Sequence, residues 1–127
     1  MKNEFYVTAY RFHVKDRNTL LIQGWFQENE IGDNQLVVNM DGENLDYATE
    51  QHADVVDAHQ CADGKAEVKN RVYLWVRLPK DWQERKCLTL VNQCQGQEKE
   101  SLKIKVSQLV KKENKIELQC MTMKTES

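Results

Sequence analysis

The residues whose spacing best suits a metal ion are Asp57, His59 and Cys61, which lie two positions apart. On an extended segment their side chains would point to the same side, and all three residue types bind zinc. No further pair of ligands is spaced to anchor such a site, and a domain of this size folds without a metal. We therefore interpret these residues as part of a polar loop, and we predict no metal and no other cofactor.

The sequence lacks the motifs of the common catalytic sites. It contains no Gly-x-Ser-x-Gly elbow, no cysteine in a catalytic signature, and no Gly-x-Gly or Gly-Lys-Ser/Thr loop for phosphates. Carboxylates such as Asp54 and Asp57 lie close together, but among 20 acidic residues such pairs are expected by chance. We predict no catalytic residue and expect that the chain itself is not an enzyme.

Aromatic and arginine side chains form the most distinctive group of candidate binding residues. In one predicted strand every second residue is apolar, and the residues between them are Arg71, Tyr73, Trp75 and Arg77. Because side chains alternate between the two faces of a strand, these two rings and two guanidinium groups share the face away from the core. Trp25 lies on the outward face of another predicted strand. These five residues are the candidate binding site.

Three interpretations of this surface are open. In the first, loops or the segment 51–69 cover the rings, and the arginines stack on them through cation–π contacts. In the second, another domain or a partner protein docks there, since Trp, Tyr and Arg are the residues that anchor interfaces. In the third, the flat rings stack on the sugars of a glycan. The first interpretation makes the surface structural, whereas the other two make it functional.

Length and charge limit the classes of partner. The chain has 127 residues, with 18 Lys and Arg against 20 Asp and Glu and a formal net charge of −2. Without a cluster of basic residues, binding to nucleic acid or to an anionic membrane is not expected. The longest aliphatic runs, Leu20–Ile22 and Leu36–Val38, are too short to span a membrane, and the first residues lack the apolar stretch of a signal peptide. We expect one small cytoplasmic domain with reduced cysteines and no membrane insertion.

Alternation of apolar and polar residues dominates the chain and predicts β-strands. The Asp41-Gly42 dipeptide tolerates positive φ at both positions and predicts a hairpin. A single sheet would leave one apolar face in water, so we predict an all-β antiparallel β-sandwich of the immunoglobulin-like class with about seven to eight strands; a closed barrel is the alternative. The predicted strands cover residues 6–14, 20–27, 36–40, 45–49, 72–78, 88–91 and 102–106.

Two segments do not follow this pattern clearly. The segment 51–69 is long and polar, and we expect either a loop that crosses a sheet edge or a short edge strand around Val55-Val56. Residues 106–118 come nearest to a helical stripe, but their alternation fits a strand at least as well, and we favour a final strand. We place the β-sandwich module at residues 1–110 and assign residues 111–127 to a final strand or to a linker towards a downstream domain.

Several short motifs follow one another along the chain. They are Gly24-Trp25 after Leu20–Ile22, Asp41-Gly42 ahead of Leu45 and Tyr47, His52-Ala53-Asp54-Val55, and Leu78-Pro79. In this order and spacing, over roughly Phe5 to Val106, the chain resembles the β-sandwich module at the N terminus of bacterial family-2-type glycosyltransferases. These include enzymes that assemble rhamnose-rich and other cell-surface polysaccharides in Gram-positive anaerobes.

The resemblance implies an accessory, non-catalytic module, with sugar transfer from a nucleotide donor performed by a separate downstream domain. No Asp-x-Asp motif, which is common in such transferases, occurs in the chain. The leading expectation is therefore a docking module whose partner is a downstream glycosyltransferase domain or a partner protein. The alternative is a carbohydrate-binding module that recognises a glycan through the aromatic residues.

Overall fold

Eight β-strands and a short helix make up the described part of the chain. The computed structural model describes residues 3–28, 32–56 and 67–114, with the backbone alone at residues 52–56 and 67–69. A 3-10 turn spans Trp82–Glu84, and residues 106–114 form the α-helix α1. The strands are β1 (Phe5–Phe12), β2 (Thr19–Phe26), β3 (Gln35–Met40), β4 (Glu43–Leu45), β5 (Tyr47–Val56), β6 (Glu67–Arg77), β7 (Cys87–Cys94) and β8 (Gln97–Lys105).

The strands form two packed antiparallel sheets of four strands each. Sheet A has the order β1-β2-β6-β5, and sheet B has the order β4-β3-β7-β8. Each sheet consists of two hairpins, and the chain crosses between sheets after β2, β4 and β6. This is the strand order of constant-type immunoglobulin domains, with β4 added at the edge of the sheet that has three strands in those domains. The predicted β-sandwich is confirmed, and a closed barrel is excluded because each sheet keeps two edge strands.

The core lies between the two sheets and is built by alternation along the strands. In β6 the inward-facing residues are Val72, Leu74 and Val76, and Leu74 and Val76 are fully buried. The partners of Leu74 and Val76 across the β2–β6 ladder are Ile22 and Leu20, which are also fully buried. The core face predicted for both strands is therefore confirmed. Sheet B contributes Leu36, Val38, Met40, Leu88, Leu90 and Ile104.

Two-residue turns close both hairpins of sheet B. Asp41 and Gly42 have φ of 51° and 93°, and Gln95 and Gly96 have φ of 53° and 77°. Positive φ at both positions is the requirement of a type I′ turn, so the hairpin predicted at Asp41-Gly42 is confirmed. The Asp41 carboxylate also accepts hydrogen bonds from the backbone N–H of Lys86 at 2.7 Å and of Cys87 at 3.1 Å, which joins this turn to the start of β7.

Three asparagines at one end of the sandwich are buried and bond to each other. Asn3, Asn34 and Asn92 are 5%, 8% and 1% exposed. The Asn34 amide donates to the side-chain oxygen of Asn92 and to the backbone oxygen of Asn3, both at 2.7 Å. The Asn92 amide donates to the same Asn3 oxygen at 2.9 Å. Because buried amides are costly without partners, this network fixes the chain ahead of β1 against β7 of sheet B.

The alternation predicted along the first strand is wrong at one point. A bulge at Thr8 separates the pairs Val7–Gly24 and Ala9–Gln23, so one extra residue enters β1. Since the extra residue shifts the phase of the strand, Phe5 and Phe12 are both buried, although a continuous strand would put them on opposite faces.

The predicted return strand at residues 45–49 is two strands in different sheets. β4 ends in sheet B at Leu45, β5 begins in sheet A at Tyr47, and Asp46 connects them. The edge-strand alternative for the following segment is confirmed, because β5 continues to Val56 and pairs with β6 along its whole length. The predicted loop residues Asp57, His59 and Cys61 lie outside the described residues.

The strand that we favoured for residues 106–118 is wrong over residues 106–114, which are helical. Val106 and Leu109 are buried and Val110 packs against the core, so three residues at helical spacing face the sandwich. The Lys112 ammonium donates to the backbone oxygen of Tyr10 at 3.0 Å and lies 4.3 Å from the centre of its ring. The proposed continuation through residues 115–127 lies outside the described residues.

Substitution of Leu74 tests the assignment of the two faces of β6. We expect Leu74→Ala to lower the free energy of unfolding by about 2–5 kcal/mol, because the change leaves a cavity in the core. The control is Lys103→Ala on the exposed side of β8, which we expect to change it by less than about 0.5 kcal/mol. Urea denaturation followed by tryptophan fluorescence measures both values. Equal changes in the free energy of unfolding for the two variants would show that the assignment of the two faces of β6 is wrong.

Candidate functional site

All five candidate binding residues lie on the outer face of sheet A. In the β2–β6 ladder Trp25 is opposite Arg71, and the next outward-facing pairs are Gln23 with Tyr73 and Leu21 with Trp75. Directly opposite residues in an antiparallel sheet project to the same side. The structure therefore brings Trp25, Arg71, Tyr73 and Trp75 onto two adjacent central strands, with Arg77 exposed at the end of β6.

Aromatic residues are distributed unequally between the two sheets. The chain has three Trp, four Tyr and three Phe, all within the described ranges, and none lies in a strand of sheet B. Those that do not pack against the core project from the outer face of sheet A. We call this surface the aromatic face; its rings are Tyr6, Trp25, Tyr73 and Trp75.

Sequence reasoning missed the contribution of β1 to this surface. Tyr6 is 38% exposed, and its ring centre lies 4.7 Å from that of Trp25 at an interplanar angle of 43°. His13 follows β1, and its ring centre lies 6.0 Å from that of Trp75. Simple alternation places Tyr6 and His13 on opposite faces of the first strand. The bulge at Thr8 brings both to the same face, and it could not be predicted from alternation.

An ion pair and a hydrogen bond hold the Tyr6 ring in place. Its hydroxyl donates to the Glu4 carboxylate at 2.9 Å, and the same carboxylate pairs with the Lys99 ammonium of β8. The hydrogen bond from Lys99, together with that from Tyr6, lowers the pKa of Glu4. The carboxylate in turn raises the pKa of the Tyr6 hydroxyl. These contacts join the edge strands of the two sheets beside the aromatic face.

Gly24 allows β1 to approach β2 closely where Tyr6 meets Trp25. A Cβ atom at this position would lie 2.4 Å from the Tyr6 backbone oxygen and 2.6 Å from the nearest atom of the Phe5 ring. Both distances are far below van der Waals contact. The glycine is therefore required by packing between the strands, and the tryptophan that follows it forms part of the aromatic face.

Trp75 stands between two depressions in the aromatic face. One, of about 390 Å³, lies towards β1, and the other, of about 240 Å³, lies towards β5. The Trp75 Nε1 atom is buried, and no acceptor in the described part of the chain bonds to it. A buried donor without a partner costs about 1–3 kcal/mol.

The arginines at the ends of the surface have different surroundings. Arg71 donates from Nη1 to the Thr8 hydroxyl at 3.0 Å, so it bridges the bulge of β1. Arg77 is exposed and lines the smaller depression together with Asp46. The outer face thus carries positive groups at both ends of the row of rings, as the sequence predicts.

The other candidate groups among the described residues are metal-ligating side chains and thiols. Within the described ranges no group of three His, Cys, Asp or Glu side chains is placed to hold a metal ion. Cys87 is half-buried and Cys94 is buried, and both are free thiols. The histidine and cysteine of the candidate metal motif lie outside the described residues, so the prediction of no metal stays a prediction.

Comparison of the chain with models of protein families and with curated proteins finds no match. In the described part of the chain, no helix is long and apolar enough to cross a membrane. The aromatic face and the resemblance of the short sequence motifs are therefore the two indications of function.

The turn after β1 supplies a test based on pH. The Asp16 carboxylate accepts hydrogen bonds from the Asn18 backbone N–H at 3.0 Å and from the Thr19 hydroxyl at 2.9 Å, which lower its pKa. A carboxylate with a lowered pKa in the folded state stabilises the fold above its unfolded pKa, and this contribution is lost as pH falls through the folded pKa. As pH is lowered from about 5 to about 2, we expect the free energy of unfolding to decrease less in Asp16→Asn than in the parent protein.

Thermal denaturation as a function of pH measures this effect. Thr19→Val, which removes one of the two hydrogen bonds, serves as an intermediate case and is expected to flatten the fall by less than Asp16→Asn. If stability plotted against pH ran parallel for the parent protein and Asp16→Asn, the lowered pKa assigned to Asp16 would be wrong.

Proposed function

We propose that this chain is a non-catalytic docking module of a bacterial glycosyltransferase-like protein involved in cell-surface polysaccharide assembly. The aromatic face is the surface that binds the downstream glycosyltransferase domain or a partner protein. The single observation behind this proposal is the segregation of the rings. Every aromatic residue outside the core projects from sheet A, and the strands of sheet B contain none.

The composition of the aromatic face suits a protein interface. Trp, Tyr and Arg are enriched among residues that anchor interfaces, because they bury large apolar areas while keeping groups that can form hydrogen bonds. Trp25, Tyr73 and Trp75 are only half-buried in the isolated chain. A partner that covered them would gain the free energy of removing the remaining apolar area from water.

The described backbone of the segment 51–69 lies beside these rings in sheet A and not over them. Residues 51–56 belong to β5 and residues 67–69 belong to β6, and the two strands pair edge to edge. Paired strands lie in the plane of the sheet, so they extend sheet A sideways. The described backbone of that segment therefore leaves the outer face of sheet A open to a partner, which supports docking.

The glycosyltransferase context rests on the resemblance of the motifs. Gly24 precedes Trp25 in β2, one of the strands that carry the aromatic face, and Asp41-Gly42 forms the turn of the β3–β4 hairpin. Leu78-Pro79 follows directly after β6. Through that resemblance these features support an accessory role, with the sugar-transfer chemistry in a separate domain.

A glycan is the second candidate ligand of the same surface. The Trp75 ring lies between depressions that are lined by hydrogen-bonding groups, among them Arg11, Asp46 and Arg77. Glycan-binding sites combine aromatic rings with such groups. The observation in favour of a glycan is thus local to Trp75, whereas docking accounts for the whole row of rings.

Site-specific cross-linking tests the docking function. A photoreactive phenylalanine analogue replaces Tyr73 in cells that make the chain naturally, and mass spectrometry identifies the adducts. We expect adducts with a glycosyltransferase domain, in the same chain or in a partner. The matched control places the analogue at Val91, a half-buried position on the outer face of sheet B, where we expect at least about tenfold less adduct.

Equal adduct yields from the two positions would contradict the proposal. Binding of the isolated chain to a glycan array and to a set of nucleotide sugars tests the second candidate function, carbohydrate binding. Specific retention that is lost in Trp75→Ala and kept in Lys103→Ala would identify a carbohydrate-binding module in place of a docking module.

A further inference from the structure

The larger depression beside Trp75 has the lining of a carboxylate-binding site. It lies between β1, the turn that follows it, and β6, and its volume of about 390 Å³ is within the range of ligand pockets. Among its lining residues two carry positive charge and none is an Asp or a Glu. Its lining includes Arg11, His13, Val14, Lys15, Leu21 and Trp75.

Donor groups that have no acceptor in the described part of the chain occur among the lining residues of this depression. In the described part of the chain neither Arg11 nor Lys15 forms an ion pair, and the buried Trp75 Nε1 has no acceptor. His13 Nδ1 accepts a hydrogen bond from the Lys15 backbone N–H at 3.1 Å. The proton of the neutral imidazole is therefore on Nε2, which is a further donor.

The remaining lining is apolar. Leu21 forms part of the depression although it is only 3% exposed, and Val14 is 62% exposed beside it. A ligand that matches this lining carries a carboxylate on an apolar stem, next to a further apolar group. The smaller depression does not offer the same match, because Asp46 contributes a carboxylate to it.

We propose that the partner of the aromatic face inserts an Asp or Glu side chain into this larger depression. The carboxylate pairs with Arg11 and Lys15, and an apolar residue next to it in the partner contacts Val14. Charge complementarity argues for an acidic peptide segment, since the lining offers two cations and further donors and includes no Asp or Glu. This inference rests on the proposed docking function and adds the chemistry of the partner.

Nuclear magnetic resonance of the ¹⁵N-labelled chain tests this site. The probe is an acetylated and amidated Leu-Glu-Leu tripeptide, and the readout is the indole N–H signal of Trp75, assigned by its loss in Trp75→Phe. We expect a saturable shift that weakens with added salt. Arg11 is exposed, so Arg11→Gln is expected to fold normally and to bind at least about tenfold more weakly.

The matched controls are the Leu-Gln-Leu tripeptide and the Lys103→Gln variant on the opposite sheet. An unchanged Trp75 signal, or equal shifts with the two tripeptides, would overturn the carboxylate site. A shift with free glucuronate and none with Leu-Glu-Leu would overturn it in favour of an acidic sugar.

The cross-linking experiment separates this inference from the docking function itself. If the adduct from position 73 persists in Arg11→Gln and the tripeptide does not bind, the docking function is supported and the carboxylate site is wrong. If the tripeptide binds and no adduct forms, the carboxylate site is supported and the docking function is wrong.

Discussion

Burial of Leu74 between the two sheets is the constraint on which the functional surface depends. Leu74 is fully buried at the centre of β6, opposite the equally buried Ile22 of β2. Because successive side chains point to opposite faces, this packing forces Tyr73 and Trp75 to the outside. A shift of one residue would expose three apolar residues and bury two arginines, at a cost far above the net stability of a small domain. The core therefore determines which rings remain available to a partner.

Much of the fold could be predicted from the sequence, because the two-residue period is a local property. The alternation in β2 and β6 and the Asp41-Gly42 turn gave the strands, their faces and one hairpin. The bulge at Thr8 was not predictable, since the extra residue is visible only when Phe5 and Phe12 both face the core. Helix α1 was also missed, because tertiary packing of a few apolar residues decided between two local patterns.

The candidate site was predictable only in part, because alternation is a local property and the packing of strands against each other is not. The residues on β2 and β6 could be grouped by alternation within each strand, and the structure places them on one face. The contribution of Tyr6 and His13 depends on the bulge and on the pairing of β1 with β2. The unpaired Trp75 Nε1 and the basic lining beside it are products of three-dimensional packing, and no sequence pattern indicates them. The absence of aromatic residues from sheet B could be read from the sequence only after the strands had been assigned to sheets.

Hydroxyl-radical footprinting with mass spectrometry tests most directly whether the aromatic face is an interface. The chain is oxidised alone and in its native assembly, and the rates are compared at Tyr6, Tyr73 and Trp75 of sheet A and at the half-buried Cys87 of sheet B. The account predicts severalfold protection of the three aromatic residues in the assembly, with the rate at Cys87 unchanged. Unchanged rates at the aromatic residues, or protection of Cys87 alone, would contradict it.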